Sequence, residues 1–505
     1  MEDEDYRNLV ARLETEAFNQ PAAFRAKVLM FSIAAYVVLF GLMFAFAGFS
    51  WWLFHVARSS GKTLIILGAA GWLVVVVPAL FVTLRMFLMR LEPPVGRALT
   101  AAQAPQLFKL LEQLRRKLAA PPIHQVVVTP EFNAAIAQTP RFGLFGGHHN
   151  TLILGLPFLY AMAPREMMAV VAHEYGHLAG NHGKLGAWIY RQRRTFGRLQ
   201  EHAQARREDD MVNGLFSTLL DTWAPYYNAY TFALSRQNEY EADHVASEFA
   251  GAPAIASGLI RSALLGEWLG GQFWPRLYAQ AKQKPAPGFM PYTAMRRILG
   301  ATMSEWATRD QLRRAWVVDS DVHDTHPCLR ERVQAINQGN ELPPAFSTSA
   351  ADVFLGEHAA QIAREFDREW WAAEQANWQE HHRRAQRTIE LEDRPLDSLS
   401  VIDLQEFAHL LMEFRSLAAA KPALACLMQR PDGPYAKPMY YYGRILLEEN
   451  DAGGLTHLFK ASLLSPALRD ACAQAGYQWL EAKKGESAAD RWLQELDEAL
   501  EQQEA

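Results

Sequence analysis

With 505 residues the chain is too long for one ordinary hydrophobic core, so two or three domains are expected. A net charge of -5 gives no argument for a nucleic-acid partner. The three cysteines, Cys328, Cys426 and Cys472, are odd in number and form no Cys-x-x-Cys, which argues against a disulfide framework and favours a reducing compartment.

Two long apolar stretches come first, Val28 to Phe54 and Thr63 to Leu84, each free of Asp, Glu, Lys and Arg. A bilayer core of about 30 Å is crossed by roughly 20 helical residues, so each is long enough to span it. Trp51 and Trp52 suit a membrane interface, and Trp72 less clearly. Both stretches are too long for the apolar part of a cleaved signal peptide; buried helices of a soluble protein are the alternative. The pair reads as a hairpin turning at His55 to Lys62. The turn carries Arg58 and Lys62, against Arg12, Arg25 and Lys27 before the pair and Arg85, Arg90 and Arg97 after it. Basic residues favour the cytoplasmic side, so both chain ends are expected there.

Glu92-Pro93-Pro94 stops the second stretch, and the region up to about Ala120 reads as an amphipathic helix. Gln125 to Thr129, Phe132 to Ala137 and Thr151 to Leu156 read as short strands. From Pro164 to Ala179 strong helix formers recur without an internal proline, and this helix contains His173-Glu174-Tyr175-Gly176-His177. Positions four apart share a helix face, so His173 and His177 can hold one metal ion while Glu174 reaches a water on it. Zinc lowers the pKa of such a water to about 7, which makes Glu174 a candidate general base for peptide hydrolysis. Ala169, Val170 and Val171 imply a buried helix, and buried imidazoles need a partner.

A third ligand is required, with an open position beside it. His182 lies five residues past His177, one short of the metzincin spacing, where Gly183 stands. Glu239 and Asp243 share a helix face within Ser235 to His244, so one carboxylate could bind the metal and the other accept the free N–H of a ligating His. His323 or His326 is a third candidate. Between these groups, Tyr190 to Met211 reads as a charged, solvated helix, and Val212 to Leu234 as an apolar helix pair broken by Asp221 and Pro225.

His-Glu-Tyr-Gly-His followed by Ser-Arg-Gln-Asn-Glu-Tyr-Glu-Ala-Asp resembles the membrane zinc metallopeptidases that include the HtpX heat-shock protease and the CAAX prenyl protease. Asn133-Ala134-Ala135 is similar to that family's substrate-pairing edge strand, and Thr325-His326-Pro327 through Arg332 to its late His-Pro motif. The resemblance covers roughly residues 95 to 340 and departs at 212–234, where HtpX-type relatives carry additional membrane spans. It implies that Glu239 is the third zinc ligand, that Asp243 supports a ligating His, that His326 stabilises the oxyanion and that Arg332 organises the site. Cys328 stands where the family often has another small residue.

Glu357 to Glu392 lacks Gly and Pro and reads as one long helix. Beyond it, apolar residues recur every 34 positions: Leu411, Ile445 and Trp479; Met412, Leu446 and Leu480; Leu424, Leu458 and Trp492. That period suggests helical hairpins of the tetratricopeptide (TPR) kind, able to bind a partner or to cover the rest of the protein.

The expected fold is mainly α with a small β-sheet, in four segments: 1–27 cytoplasmic, 28–92 a transmembrane hairpin, 93–345 a zincin-like metallopeptidase domain and 346–505 a TPR-like domain. The resemblance implies one zinc ion per chain and endopeptidase action on misfolded or membrane-associated proteins. It also implies a bacterial inner membrane, with the lipid bilayer and protein substrates as partners. The competing reading is a metal-containing binding or chaperone-like scaffold that recruits partners through its helical repeats.

Overall fold

The computed structural model describes residues 3–60, 94–142, 145–179, 211–320, 326–431 and 433–504. These form two compact units, one from 1–274 with 290–369, the other from 275–289 with 370–505.

The first unit opens with helices α1 (Asp3–Asn19) and α2 (Pro21–Ser60). The expected turn at His55 to Lys62 is helical as far as Ser60, because nothing before that point breaks the backbone ladder. Met30, Val37, Phe44, Trp51 and Trp52 of α2 are exposed. Among the described residues no helix is long and apolar enough to cross a membrane. Several side chains in the middle of α2 fall outside that set, as does the whole stretch 63–84.

A four-stranded sheet follows, in the order β1-β2-β4-β3, from β1 (Arg97–Leu99), β2 (Gln125–Thr129), β3 (Ala134–Phe142) and β4 (Phe145–Gly155). β1 corrects the expectation of a helix from after Pro94 to about Ala120: the chain first pairs antiparallel with Val126–Val128, and helix α3 runs only over Pro105–Lys117. Three residues are too few to show a strand period, whereas Pro105 at the first helical turn forfeits no hydrogen bond and marks the helix start. β2 and β4 are parallel and central, and Val126, Val127, Val128, Leu152 and Leu154 are buried. β3 extends beyond its expected end because it pairs along β4, reinforced by Gln138 Nε2 donating to Asn150 Oδ1 at 3.1 Å. Gly155 ends β4 where a Cβ would stand 1.9 Å from the Glu131 carbonyl oxygen, so only glycine lets the 131–133 turn close over it.

Helices α4 (Leu156–Ala161) and α5 (Pro164–Ala179) lead away from the sheet. Buried Glu166 accepts the Ala163 N–H at 2.8 Å and pairs with buried Arg261 of α7 (Ala252–Trp268), fixing the start of α5. α6 (Met211–Ala250) is a single helix that passes through Pro225, not the expected broken pair. An internal proline costs about 3 kcal/mol; the turns that follow offset it by burying Tyr227, Phe232, Ala233 and Leu234 in a cluster with Leu9, Val10, Leu13 and Ala17 of α1. Tyr190 to Asp210 lies outside the described residues. Short α8 (Leu329–Ala335) closes this part of the unit.

The expected long helix is present as α9 (His358–Glu392). The second unit continues with three helix pairs: α10 (Val401–Phe414) and α11 (Lys421–Met428), α12 (Ala436–Glu448) and α13 (Gly453–Leu464), α14 (Arg469–Lys484) and α15 (Glu486–Glu504). Leu411, Leu424 and Ile445 share one core, and Leu458, Trp479 and Trp492 belong to another. Gly476 lies against the Trp492 ring, where a Cβ would come within 2.3 Å, so a side chain there would separate α14 from α15.

Candidate active site

α5 and α6 cross at Gly176, where an added Cβ would stand 3.0 Å from the Ala242 Cα and 3.3 Å from its Cβ. That close approach brings Glu239 and Asp243, on neighbouring turns of α6, beside the two histidines of α5. One ligand atom from each of His173, His177 and Glu239 lies within 4.8 Å of the others, among which the two Nε2 atoms are 3.1 Å apart. His177 Nε2 is 3.4 Å from Glu239 Oε1, and His173 Nε2 is 3.7 Å from Glu239 Oε2.

The remaining contacts orient this set. His173 Nδ1 lies 2.9 Å from Asp243 Oδ1, which leaves Nε2 directed at the convergence point. Asp243, fully buried, also accepts both Arg332 Nε and Nη2 at 2.8 Å in a bidentate pair. Arg332 Nη1 reaches Glu239 Oε2 at 3.4 Å, and His326 Nδ1 lies 3.1 Å from the same oxygen. His326 is largely exposed, at the mouth of the site.

Burial alone would raise the Glu239 pKa, but hydrogen bonds with His177 and His326 and the Arg332 and His173 charges hold it well below the carboxylate range. Burial opposes protonation of His177, yet Glu239 and Glu174 raise its pKa on balance. Burial pushes the Tyr175 hydroxyl up to about 12. Both oxygens of buried Glu239 face basic nitrogens, Oε1 that of His177 and Oε2 those of His326 and Arg332, which fits a carboxylate shaped to meet a cation. Two imidazoles and one carboxylate are also a donor set that suits zinc.

Glu174 faces the sheet, where its Oε2 accepts the Ile136 N–H at 3.2 Å. Among the described residues β3 is paired only with β4, which leaves its other edge without a neighbouring strand. Backbone groups alternate in direction along an antiparallel strand. Ala134 N–H, which bonds Asn133 Oδ1 at 2.8 Å, and Ile136 N–H therefore both point away from β4, and Ala135 points toward it. Ile136 was not singled out from the sequence, since an apolar side chain gives no sign that its N–H meets a carboxylate. Asn133 also accepts the Gly155 N–H through its carbonyl at 2.7 Å, anchoring the start of the strand. His182 and His323, the alternative ligands, lie outside the described residues.

A helix bearing His-x-x-x-His, a carboxylate from a second helix and an open strand edge beside the intervening Glu define a metallopeptidase-type site. The comparisons make the class particular: residues 104–339 match the model of Peptidase family M48, which bears out the resemblance read from the motifs. "Protease HtpX homolog" from Gemmatimonas aurantiaca is 24% identical over 174 residues, covering 33% of this chain and 60% of that protein. "Protease HtpX" from Stutzerimonas stutzeri is 25% identical over 178 residues, covering 31% and 56%. The chain thus spans less than two thirds of these relatives' length. No solved structure matches. Together the family match and the relatives' names support a metalloprotease.

Proposed function

We propose that the protein is a membrane-anchored zinc endopeptidase that hydrolyses misfolded or membrane-associated proteins. The observation that carries this reading is the convergence of His173, His177 and Glu239 with Glu174 held between them and the open edge of β3. His173, His177 and Glu239 would hold the ion. When bound, zinc supplies Lewis acidity and a water acidified to a pKa of about 7.

The chain's own residues supply the rest. An extended substrate adds along the edge of β3, replacing Asn133 Oδ1 at the Ala134 N–H and Glu174 at the Ile136 N–H as it enters, which places its scissile carbonyl over the site. Glu174 takes a proton as general base and returns it to the leaving amine. His326 donates a hydrogen bond to the developing oxyanion. Asp243 fixes the His173 tautomer, and Arg332 balances two buried carboxylates. Anchoring rests on the charge-free stretches 28–54 and 63–84, with the site on the cytoplasmic side. The helix pairs of the second unit, read as TPR-like, recruit a protein partner or substrate.

Cleavage of an unfolded model protein by the detergent-solubilised chain tests the central step. Chelation should abolish it, and one equivalent of zinc should restore it. Cleavage that persists in zinc-free protein, or none with zinc bound, would count against the proposal.

A further inference from the structure

Three residues before Glu239, α6 carries a second buried charge that the peptidase chemistry does not use. Arg236 is 6% exposed. Its Nη2 donates to Ser320 Oγ at 2.8 Å and also pairs with Glu331 of α8, and its guanidinium lies over the Phe232 ring, 5.6 Å from the centroid. Glu331 further accepts the Tyr240 hydroxyl at 3.1 Å and the Ser320 hydroxyl at 2.9 Å. Its chain neighbour is Arg332, which grips Asp243 and Glu239. Consecutive residues of α8 therefore clamp α6 on both sides of Glu239.

The other nitrogen of the fork faces a different element. Arg236 Nη1 lies 2.9 Å from Glu14 Oε1 of α1. That oxygen makes no hydrogen bond, so the link is Coulombic rather than an aligned bond. Burial holds the Glu14 carboxyl above its ordinary value despite Arg236, and Glu331 adds to the rise. Two carboxylates thus share one guanidinium, and moving either changes the pull on the other. Next to Glu14, Leu13 is buried with Leu9, Val10 and Ala17 against Tyr227 and Phe232 of α6. Arg25, at the start of α2, pairs with Glu241 on the same stretch of α6.

We propose that Arg236 is a positioning residue through which docking of α1 on α6 sets the placement of Glu239 and Arg332, so that the state of the segment leading into α2 controls zinc affinity and turnover. The inference rests on the peptidase reading for its turnover arm and on the metal site alone for its affinity arm.

The test compares full-length wild type with Glu14→Gln, Glu14→Asp and Leu13→Asp, reading zinc affinity by chelator competition, kcat and KM on an unfolded protein, and hydrogen exchange across α1. Supporting contacts around metal ligands typically change affinity 10- to 100-fold. Glu14→Gln and Leu13→Asp should each weaken zinc binding roughly 10-fold and lower kcat with KM unchanged, and Glu14→Asp should retain most of both. Zinc affinity within twofold of wild type in Glu14→Gln, or in Leu13→Asp with α1 shown to exchange freely, would overturn the proposal. If wild type binds zinc but cleaves nothing, the peptidase reading fails while the affinity arm still decides this one.

Discussion

Glu174→Gln is expected to slow peptide-bond cleavage roughly a hundred- to ten-thousand-fold, the span typical for loss of a general base, while zinc content stays at the wild-type value. The glutamine amide keeps the size of the carboxylate and cannot take a proton at neutral pH. Its carbonyl oxygen can still accept the Ile136 N–H, so the contact between α5 and β3 survives. Glu174 is also outside the His173, His177 and Glu239 set, so metal binding has no reason to change. Initial rates on an unfolded substrate, measured beside metal content, separate these effects. A drop in zinc content that parallels the loss of rate would assign Glu174 to the metal instead.

Arg332→Met is expected to destabilise the zinc-free protein by about 3–5 kcal/mol, the cost of removing one member of a buried ion pair. Asp243 has no exposed surface and Glu239 is 7% exposed, and Arg332 is the guanidinium that faces both. Burial alone would raise the Asp243 pKa, but Arg332 and His173 bring it below its ordinary value of 3.8. A carboxyl with a depressed pKa stabilises the fold above its unfolded pKa and ceases to do so as pH falls through the folded value. The difference between variant and wild type should therefore be full at neutral pH and shrink below about pH 4. Zinc should narrow it, because the ion supplies positive charge to Glu239. Urea unfolding with and without zinc at two pH values reads all three effects; equal stability of the two proteins at pH 7 would contradict the assignment.

The parts of the site that were legible in the sequence are those encoded by helical spacing. His173 and His177, four apart, and Glu239 and Asp243, four apart, each share a face of one continuous helix. Their meeting depends on Gly176, whose missing side chain lets the helices approach, and spacing alone does not reveal that contact. β1 escaped because three residues carry no period, and it exists through pairing with β2. Pro225 suggested a break, but packing on α1 carries the helix through it. The link from Glu14 to Arg236 joins residues far apart in the chain, and neither stands out in a local window.

In the proposed site two histidines of α5 and one carboxylate of α6 hold a single zinc ion with a position left open. X-ray absorption at the zinc edge, on protein loaded with one equivalent, tests it most directly. The expected result is two imidazole nitrogens at about 2.0–2.1 Å and oxygen ligands at about 2.0–2.2 Å, with the imidazole signal halved in His177→Ala and the zinc lost in Glu239→Ala. A sulfur ligand, a third imidazole, or tight zinc binding that survives Glu239→Ala would contradict it.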